Sequence, residues 1–526
     1  MPFSHDGVFF KDYDIWAKPL PEETVSDLAR RCGIMIDQPC GGCGSCGKCG
    51  VLVDGVYALA CQTMAVAGMQ ITMPNCPDKM QILESAEGMM QGQALKCGKV
   101  GAALDIGTTT LVLYLVDCAG GDILAVSSSI NPQTAFGADV ISRISYIETN
   151  EDGLQRLRGV LINKINIMLD DVLQKASLHR GQVSAMVVAG NTTMEHIFAG
   201  VSPAAIGRAP FKPVFSDSII IAPQDAGINL GGGTMIRLLP NISGFVGGDI
   251  VSGILYSKMA ESDKLSLLVD IGTNNEMVLG SRDFLLCCSA AAGPALEGAK
   301  ISQGMRAAPG AVDSVVSRNG DLHVTTIDNV PARGICGSGL VDAVAELFRN
   351  GVIAPSGKFT KAEKISSEPL RKRLSGSKAS EMFYTLVNSN GHAIGLTQQD
   401  IREVQLAKGA IAAGIEIMLE EAGMSLRDID RVFVAGAFGN YLNFVNAIEL
   451  GILPNVPEGK ITALGNSAGL GACQLLCGED CWADVSCLSA TARHIELAEH
   501  PRFQEVFVRS LSFNSIEKPD RETRPQ

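Results

Sequence analysis

Four cysteines near the N-terminus have the spacing of an iron–sulfur ligand set. Cys40, Cys46, Cys49 and Cys61 follow the pattern C-x5-C-x2-C-x11-C, and the first three lie in a glycine-rich loop. Four thiolates are what a [2Fe–2S] cluster requires, and glycines let backbone N–H groups turn toward its sulfides. A zinc site or loose thiols are the alternatives, although zinc usually binds paired C-x2-C motifs. We expect Cys43, a fifth thiol in this loop, to be spare, although it could compete as a ligand.

A five-residue pattern suited to phosphate binding occurs twice in the chain. Asp105-Ile106-Gly107-Thr108-Thr109 and Asp270-Ile271-Gly272-Thr273-Asn274 each follow one hydrophobic strand and precede another. The glycine lets a phosphate approach the backbone, hydroxyl and amide groups donate to phosphate oxygens, and a carboxylate can hold Mg²⁺ directly or through water. One copy is a weak signal, whereas two copies inside the same hairpin pattern predict a pair of phosphate loops. The alternative is a pair of structural β-turns.

Two further glycine-rich segments fit this interpretation. A buried strand at 431–435 runs into Gly436-Ala437-Phe438-Gly439, and the segment at 334–340, with Gly337 and Ser338, opens an apolar helix. The free N–H groups and the positive dipole end of a helix N-terminus suit an anion. Together with the repeated loops, these turns resemble the acetate kinase, sugar kinase, Hsp70 and actin (ASKHA) superfamily. That resemblance implies two RNase H-like halves, with a nucleotide in the cleft between them.

The composition favours a large protein of several domains that does not bind nucleic acid. Of the 526 residues 46% are hydrophobic, and 43 Lys and Arg against 56 Asp and Glu give a net charge of −13. This acidic balance argues against nucleic acids and anionic membranes as partners. We find neither a signal-peptide pattern nor an apolar run of about 18 residues. The 16 cysteines therefore suggest a reducing cytoplasm rather than a disulfide framework.

Patterning divides the chain into a small N-terminal domain, two larger domains and their connections. Short strands surround one helix, which a Thr24/Asp27 capping box starts, and the cysteine loop follows it. This arrangement resembles the β-grasp fold of plant-type ferredoxins. Apolar periodicity predicts helices at 139–148, 154–176 and 400–422. The polar composition of 353–387 predicts an exposed excursion with a short helix. The predicted regions are 1–75 (ferredoxin-like α+β domain), 76–99 (linker), 100–245 (first α/β RNase H-like domain), 246–480 (second RNase H-like, ATP-binding domain) and 481–526 (C-terminal extension, with a disordered end).

Nearly the whole chain resembles the reductive activators of corrinoid-dependent methyltransferase systems. The segments that carry this resemblance are 40–49 with 59–63, 131–144, 190–194, 245–249, 289–306, 334–347, and 436–442 with 465–467. The resemblance implies that the protein returns one electron to an inactive Co(II) corrinoid protein, giving Co(I), through its [2Fe–2S] cluster and with hydrolysis of ATP. The implied partners are that corrinoid protein and an upstream electron donor, and the oligomeric state stays open between a monomer and a homodimer.

The resemblance also implies a role for each candidate residue. Asp249, Glu297, Asn191 and Asp139 lie in the matching segments, but their chemistry suggests no role. The implied roles are cluster ligation by Cys40, Cys46, Cys49 and Cys61; Mg²⁺ binding and water positioning by Asp105 and Asp270; phosphate binding by Gly107, Thr108, Thr109, Gly272, Thr273 and Asn274; adenosine contact by Gly436 and Phe438; and contact with the other edge of the nucleotide by Gly337 and Ser338.

Three other functions remain open at this point. An ATP-dependent electron donor to a 2-hydroxyacyl-CoA dehydratase would share the nucleotide half, but would carry a [4Fe–4S] cluster across a dimer. A small-molecule kinase of the same superfamily would need a substrate pocket and would make no use of the cluster. A redox-sensing scaffold would have a degenerate nucleotide site and no ATPase activity.

Overall fold

The computed structural model describes residues 7–73 and 99–513, apart from 14, 33, 35, 37, 39–41, 43, 45–48, 299, 377, 379–380, 390, 437–438 and 479–480. The predicted linker, except Lys99, and the predicted disordered end of the chain lie outside these residues. So do three residues of the predicted sites, Cys40, Cys46 and Phe438, and the thiol expected to be spare, Cys43. No helix in the described part of the chain is both long and apolar enough to cross a membrane.

The N-terminal unit is a five-stranded sheet packed on one helix. Its elements are β1 (Val8–Phe10), β2 (Ile15–Ala17), α1 (Val25–Arg31), β3 (Gly50–Val53), β4 (Val56–Leu59) and β5 (Gln70–Thr72). The strand order is β2-β1-β5-β3-β4, with β1 parallel to β5 and an antiparallel β3–β4 hairpin. Thr24 and Asp27 form the predicted capping box at the start of α1. Cys49 and Cys61 belong to the buried core between the sheet and the helix.

The first half of the larger region is built on a six-stranded mixed sheet. Its elements are β6 (Val100–Ile106), β7 (Thr110–Asp117), β8 (Asp122–Ile130), α2 (Val140–Thr149), α3 (Gly153–Lys175), β9 (Val183–Gly190), α4 (Thr192–Ala199), β10 (Ile220–Ile221), α5 (Pro223–Ala226) and β11 (Met235–Leu238). The order is β10-β11-β9-β6-β7-β8, in which β6, β7 and β8 are an antiparallel meander and β9 is parallel to β6. The buried side chains of α3 pack on one face of this sheet. The helices predicted at 139–148 and 154–176 are thereby confirmed.

The second half repeats this topology. Its elements are α6 (Gly248–Ser257), β12 (Ser266–Ile271), β13 (Asn275–Ser281), β14 (Phe284–Ala290), β15 (Ala311–Arg318), β16 (Asp321–Thr326), β17 (Gly334–Ile335), α7 (Gly337–Arg349), α8 (Glu368–Lys372), β18 (Leu374–Ser375), β19 (Phe383–Ser389), β20 (His392–Thr397), α9 (Gln398–Glu421), β21 (Arg431–Ala435), α10 (Phe444–Leu450), β22 (Ile461–Gly465), α11 (Ser467–Cys477), α12 (Cys481–Thr491), β23 (Arg493–His494) and α13 (Phe503–Arg509). The main sheet has the order β22-β21-β12-β13-β14-β23. Again an antiparallel meander, β12-β13-β14, is joined by a parallel strand, β21, so the repeated sequence pattern is a repeated structure.

Helices α6 and α11 lie between the two main sheets and connect the halves; we call this region the floor of the cleft. Helix α11 packs on α6, and the Ser252 hydroxyl of α6 donates a hydrogen bond of 2.6 Å to the Ala468 carbonyl. A Cβ atom at Gly471 would lie 2.4 Å from the Ser252 carbonyl, so only glycine allows this approach. Apolar side chains of α11 also pack against the sheet of the first half.

One prediction about the second half differs from the structure. The polar excursion at 353–387 contains the predicted short helix, α8, but it also forms β18 and most of β19, where Tyr384 and Leu386 are buried. The composition did not predict β19 because the exposed face of this strand is polar. Within the predicted C-terminal extension, β23 pairs with β14 and α13 packs on α9.

Candidate functional site

The two predicted carboxylates occupy equivalent positions in the two halves. Asp105 is the next-to-last residue of β6 and pairs with Ala189 of β9. Asp270 is the next-to-last residue of β12 and pairs with Ala435 of β21. Each carboxylate therefore stands where the central strand meets its phosphate loop, and both line one cleft between the halves.

The cleft brings together most of the predicted nucleotide residues. Measured out to its open mouth and including open solvent, its empty volume is about 870 Å³. The predicted residues that line it are Asp105, Gly107, Thr108, Thr109, Asp270, Gly272, Thr273, Asn274 and Gly436. Six further polar residues line it without having been given a role by the sequence: Thr110, Asn191, Asp249, Glu276, Glu297 and Asn466.

The two phosphate loops touch each other through their hydroxyl groups. The Thr109 and Thr273 side-chain oxygens are 3.0 Å apart. Both hydroxyls also donate to Oε2 of Glu297, at 3.4 Å from Thr109 and 2.9 Å from Thr273. One carboxylate oxygen thus joins the loops of both halves.

Buried polar side chains hold the first loop from beneath. The Asn131 amide donates to the Gly107 carbonyl at 2.9 Å, and the Asn191 amide donates to the Thr108 hydroxyl at 2.9 Å. Arg143, which is fully buried, donates to the Thr108 carbonyl at 2.5 Å. These contacts fix the loop before any ligand arrives, as phosphate binding requires.

The electrostatics of the cleft are strongly acidic. Burial, with the neighbouring Asp249, raises the pKa of Asp105 to about 8, against a hydrogen bond from Asn466 that opposes the shift. Burial and the same neighbour raise the pKa of Asp270 to about 7, and burial raises that of Asp249 to about 6. Among the described lining residues there is no Lys or Arg. Asp105 and Asp270 are therefore at least partly protonated near pH 7, and once ionised they would repel a phosphate that no cation accompanied.

The side chains of the cleft suit Mg²⁺ that keeps part of its water. Asp105, Asp249 and Asp270 supply the oxygen donors that Mg²⁺ prefers. Within the described ranges, however, no group of three or more His, Cys, Asp or Glu side chains converges closely enough to hold an ion by itself. Mg²⁺ usually uses one or two carboxylates together with waters and substrate phosphates. The cleft therefore fits a cation that arrives with a phosphate-bearing ligand.

Of the predicted nucleotide residues outside the two phosphate loops, Gly436 lines the cleft, whereas Gly337 and Ser338 do not. Gly436 has φ +89°, and a Cβ there would lie 2.8 Å from Oδ1 of Asp270, so glycine is required beside this carboxylate. Gly337 and Ser338 are buried at the start of α7, where the Ser338 hydroxyl donates to the Asp313 carbonyl. Neither of these two is among the residues that line the cleft.

The described part of the cysteine motif forms a buried thiol pair. The sulfur atoms of Cys49 and Cys61 are 3.2 Å apart and are not bonded as a disulfide. The Gln62 amide donates to the Gly42 carbonyl at 3.0 Å and thereby ties the cysteine loop to this pair. Gly42 and Gly44 have φ of +89° and +80°, which agrees with the turns expected of a loop around a cluster. Two buried thiols this close, with no disulfide between them, fit adjacent ligands of one iron–sulfur centre.

Comparisons with known proteins agree along most of the chain. Residues 100–262 match a family model described as the RACo middle region, and residues 264–521 match one described as the C-terminal domain of RACo, the ASKHA domain. The chain is 35% identical over 417 residues to the corrinoid activation enzyme RamQ of Eubacterium limosum, covering 78% of this chain and 70% of that protein. It is 25% identical over 447 residues to the [Co(II) methylated amine-specific corrinoid protein] reductase of Methanosarcina barkeri, covering 78% and 77% of the two chains.

A solved structure extends the similarity to the N-terminal unit. The structure of a reductive activator for corrinoid, iron-sulfur protein has a TM-score of 0.71 and 29% identity, over 96% of this chain and 98% of that one. The chain therefore belongs to the family of reductive activators of corrinoid proteins, and its C-terminal region has the ASKHA fold.

Proposed function

We propose that this protein reduces an inactive corrinoid protein by one electron, from Co(II) to Co(I), and hydrolyses ATP to do so. The observation that carries the proposal is the presence of two separate centres, a buried pair of cysteine thiols 3.2 Å apart and an acidic cleft between duplicated halves. The names of its relatives, an activation enzyme and a reductase for corrinoid proteins, support this substrate. The protein is accordingly an enzyme with reductase activity.

The N-terminal unit would hold the electron carrier. Its sheet-and-helix arrangement and its glycine-rich cysteine loop support a ferredoxin-like domain, with Cys40, Cys46, Cys49 and Cys61 as the ligands of a [2Fe–2S] cluster. Such a cluster supplies one-electron transfer when bound. The chain's own contribution is to bury the Cys49–Cys61 pair and to brace the loop through Gln62. An upstream donor would have to reduce this domain.

The cleft would bind Mg·ATP. Asp105 and Asp270 would hold the hydrated cation, while the glycines, hydroxyls and amide of the two loops would bind the phosphates. Gly436, with Phe438, would lie beside the adenosine, and Gly337 and Ser338 near the other edge of the nucleotide. Because each half contributes one loop, the phosphates would bind both halves at once, and hydrolysis would weaken that connection.

ATP has a physical purpose in this scheme. Plant-type [2Fe–2S] clusters have reduction potentials near −400 mV, so ATP is needed only when the cobalt couple lies below that value. Hydrolysis can drive such a transfer only if two conformations or complexes of the protein differ in their affinity for a ligand. We place that difference in the cleft, whose closure would change how the corrinoid protein docks.

The test is spectroscopic. The reduced protein is mixed with a candidate Co(II) corrinoid protein, with and without Mg·ATP, and the Co(I) absorbance is followed over time. We expect Co(I) only when ATP is present. Equal Co(I) formation without ATP, at the same reductant potential, would contradict the coupling. The iron content and the electron paramagnetic resonance of the reduced protein distinguish [2Fe–2S] from [4Fe–4S].

A further inference from the structure

Glu297 differs from the other carboxylates of the cleft in its contacts. It lies in a short 3-10 turn after β14, and its Oε2 accepts hydrogen bonds from Thr273 and Thr109, one residue from each phosphate loop. Within the described part of the chain, its Oε1 makes no hydrogen bond. A Cβ at Gly272 would lie 3.8 Å from this Oε1, so the unoccupied oxygen faces the second phosphate loop.

The charge around Glu297 also differs from that around the two aspartates. Burial raises the pKa of Glu297, and the Thr273 hydroxyl, the Arg306 guanidinium and the Thr109 hydroxyl oppose that rise. Within the described part of the chain, no cationic side chain lowers the pKa of Asp105 or Asp270. The neighbouring Asp249 raises the pKa of each further. Among these three carboxylates, Glu297 is the one whose ionised form is favoured by a cationic side chain of the protein.

The threonine contacts connect this carboxylate to the arrival of a nucleotide. Each hydroxyl has a single proton to donate. A terminal phosphate that accepts from Thr109 and Thr273 would take the donors that now bind Oε2 of Glu297. The carboxylate would then have both oxygens available for water, next to the terminal phosphorus.

We propose that Glu297 is the general base of ATP hydrolysis, an inference that rests on the proposed function. It accepts a proton from the attacking water while the water oxygen bonds to the terminal phosphorus. The bond between that phosphorus and the oxygen of the leaving ADP breaks in the same displacement. The proton then leaves with inorganic phosphate, and Glu297 returns to the threonine hydroxyls. Without nucleotide, the carboxylate is held by both loops and activates no water.

Glu297→Gln tests this assignment, because glutamine has the same shape and its amide oxygen can still accept from both threonines. The full chain is loaded with its cofactor, and two quantities are measured: Mg·ATP affinity by equilibrium titration and hydrolysis in a single turnover with the corrinoid partner present. We expect the affinity to stay within about threefold, and hydrolysis to fall by about 10²–10⁴-fold, the usual contribution of a general base. Glu297→Asp, which keeps a shorter carboxylate, should retain an intermediate rate.

Three outcomes would overturn the assignment, and they are distinguishable. Hydrolysis by Glu297→Gln within about threefold of the wild-type rate would exclude Glu297 as the base and leave ATP use intact. Equal losses of affinity and hydrolysis would show that Glu297 only positions the loops. No hydrolysis by the wild-type protein would refute the proposed use of ATP and this assignment with it. Should Glu297→Gln fail to fold, a rate for Glu297→Asp equal to that of the wild type would also exclude the base.

Discussion

Asp105→Asn should make the protein more stable while it removes the proposed use of ATP. Asn keeps the shape of the side chain, and it can still accept the hydrogen bond from Asn466 that now reaches the carboxylate. Burial raises the pKa of Asp105 from 3.8 to about 8, because water no longer solvates its charge and Asp249 repels it. Folding therefore requires this group to take up a proton that the unfolded chain does not hold above pH 4.

The size of the effect follows from that shift and depends on pH. Between the unfolded and folded pKa values, the folded state holds more protons than the unfolded state, so wild-type stability falls as pH rises through this window. Asn has no such cost. At 1.36 kcal/mol per pKa unit, the upper limit of the gain in the free energy of unfolding is about 2 kcal/mol at pH 5, 4 kcal/mol at pH 7 and 6 kcal/mol at pH 9. Relaxation of the neighbouring carboxylates makes the measured gain smaller.

Thermal melting without nucleotide, at the three pH values, measures this gain. We expect the melting temperature of Asp105→Asn to exceed that of the wild type by about 5 °C or more at pH 7, and the difference to widen toward pH 9. Mg·ATP should raise the wild-type value and leave the variant almost unchanged. Asp217→Asn, which removes an exposed carboxylate, is the matched control. A difference that is the same at pH 5 and pH 9, or a less stable variant, would refute the reasoning.

Three further predictions concern the supports of the two centres. Arg143→Met leaves the Thr108 carbonyl without its charged donor, so Mg·ATP affinity should fall about tenfold or more by equilibrium titration, and unchanged affinity would contradict this. Gln62→Ala frees the cysteine loop, so loss of the cluster to a chelator, followed by visible absorbance, should be about 10–100-fold faster, whereas an unaltered rate would exclude the bracing role. Gly436→Ala places a Cβ against Asp270 at a positive φ, so it should destabilise the fold by about 1–3 kcal/mol in denaturant melts, and a neutral effect would be inconsistent with this contact.

The sequence predicted the site best where the chemistry is local and repeated. Asp105 and Asp270 each belong to a strand–turn–strand pattern, so their positions depend on neighbours in the chain and not on distant packing. The same holds for the capping box of Thr24 and Asp27, whose contacts span three residues. Local hydrogen bonds of this kind need no tertiary information, which is why pattern analysis identifies them.

Residues that packing brings to the cleft could not be assigned from the sequence. Asp249 lies in the first turn of α6 and Glu297 in a short turn, and neither has a counterpart in the repeated pattern. Asn466 reaches Asp105 only because α11 packs against the first half from a distant part of the chain. The strand β19 could have been found, since Tyr384 and Leu386 alternate with more exposed neighbours in the period of a strand.

The contacts between the halves indicate where a nucleotide can move them. At the floor, α6 and α11 meet at Gly471, where a Cβ would lie 2.4 Å from the Ser252 carbonyl, so these helices cannot slide without losing their packing. At the mouth, the halves meet through the hydroxyls of Thr109 and Thr273 and through Glu297. Those hydrogen bonds can be exchanged for phosphate oxygens at little cost, because the donors stay satisfied. A nucleotide that changes the separation of the loops would therefore pivot the halves about the packing of α6 and α11 on the sheet of the first half.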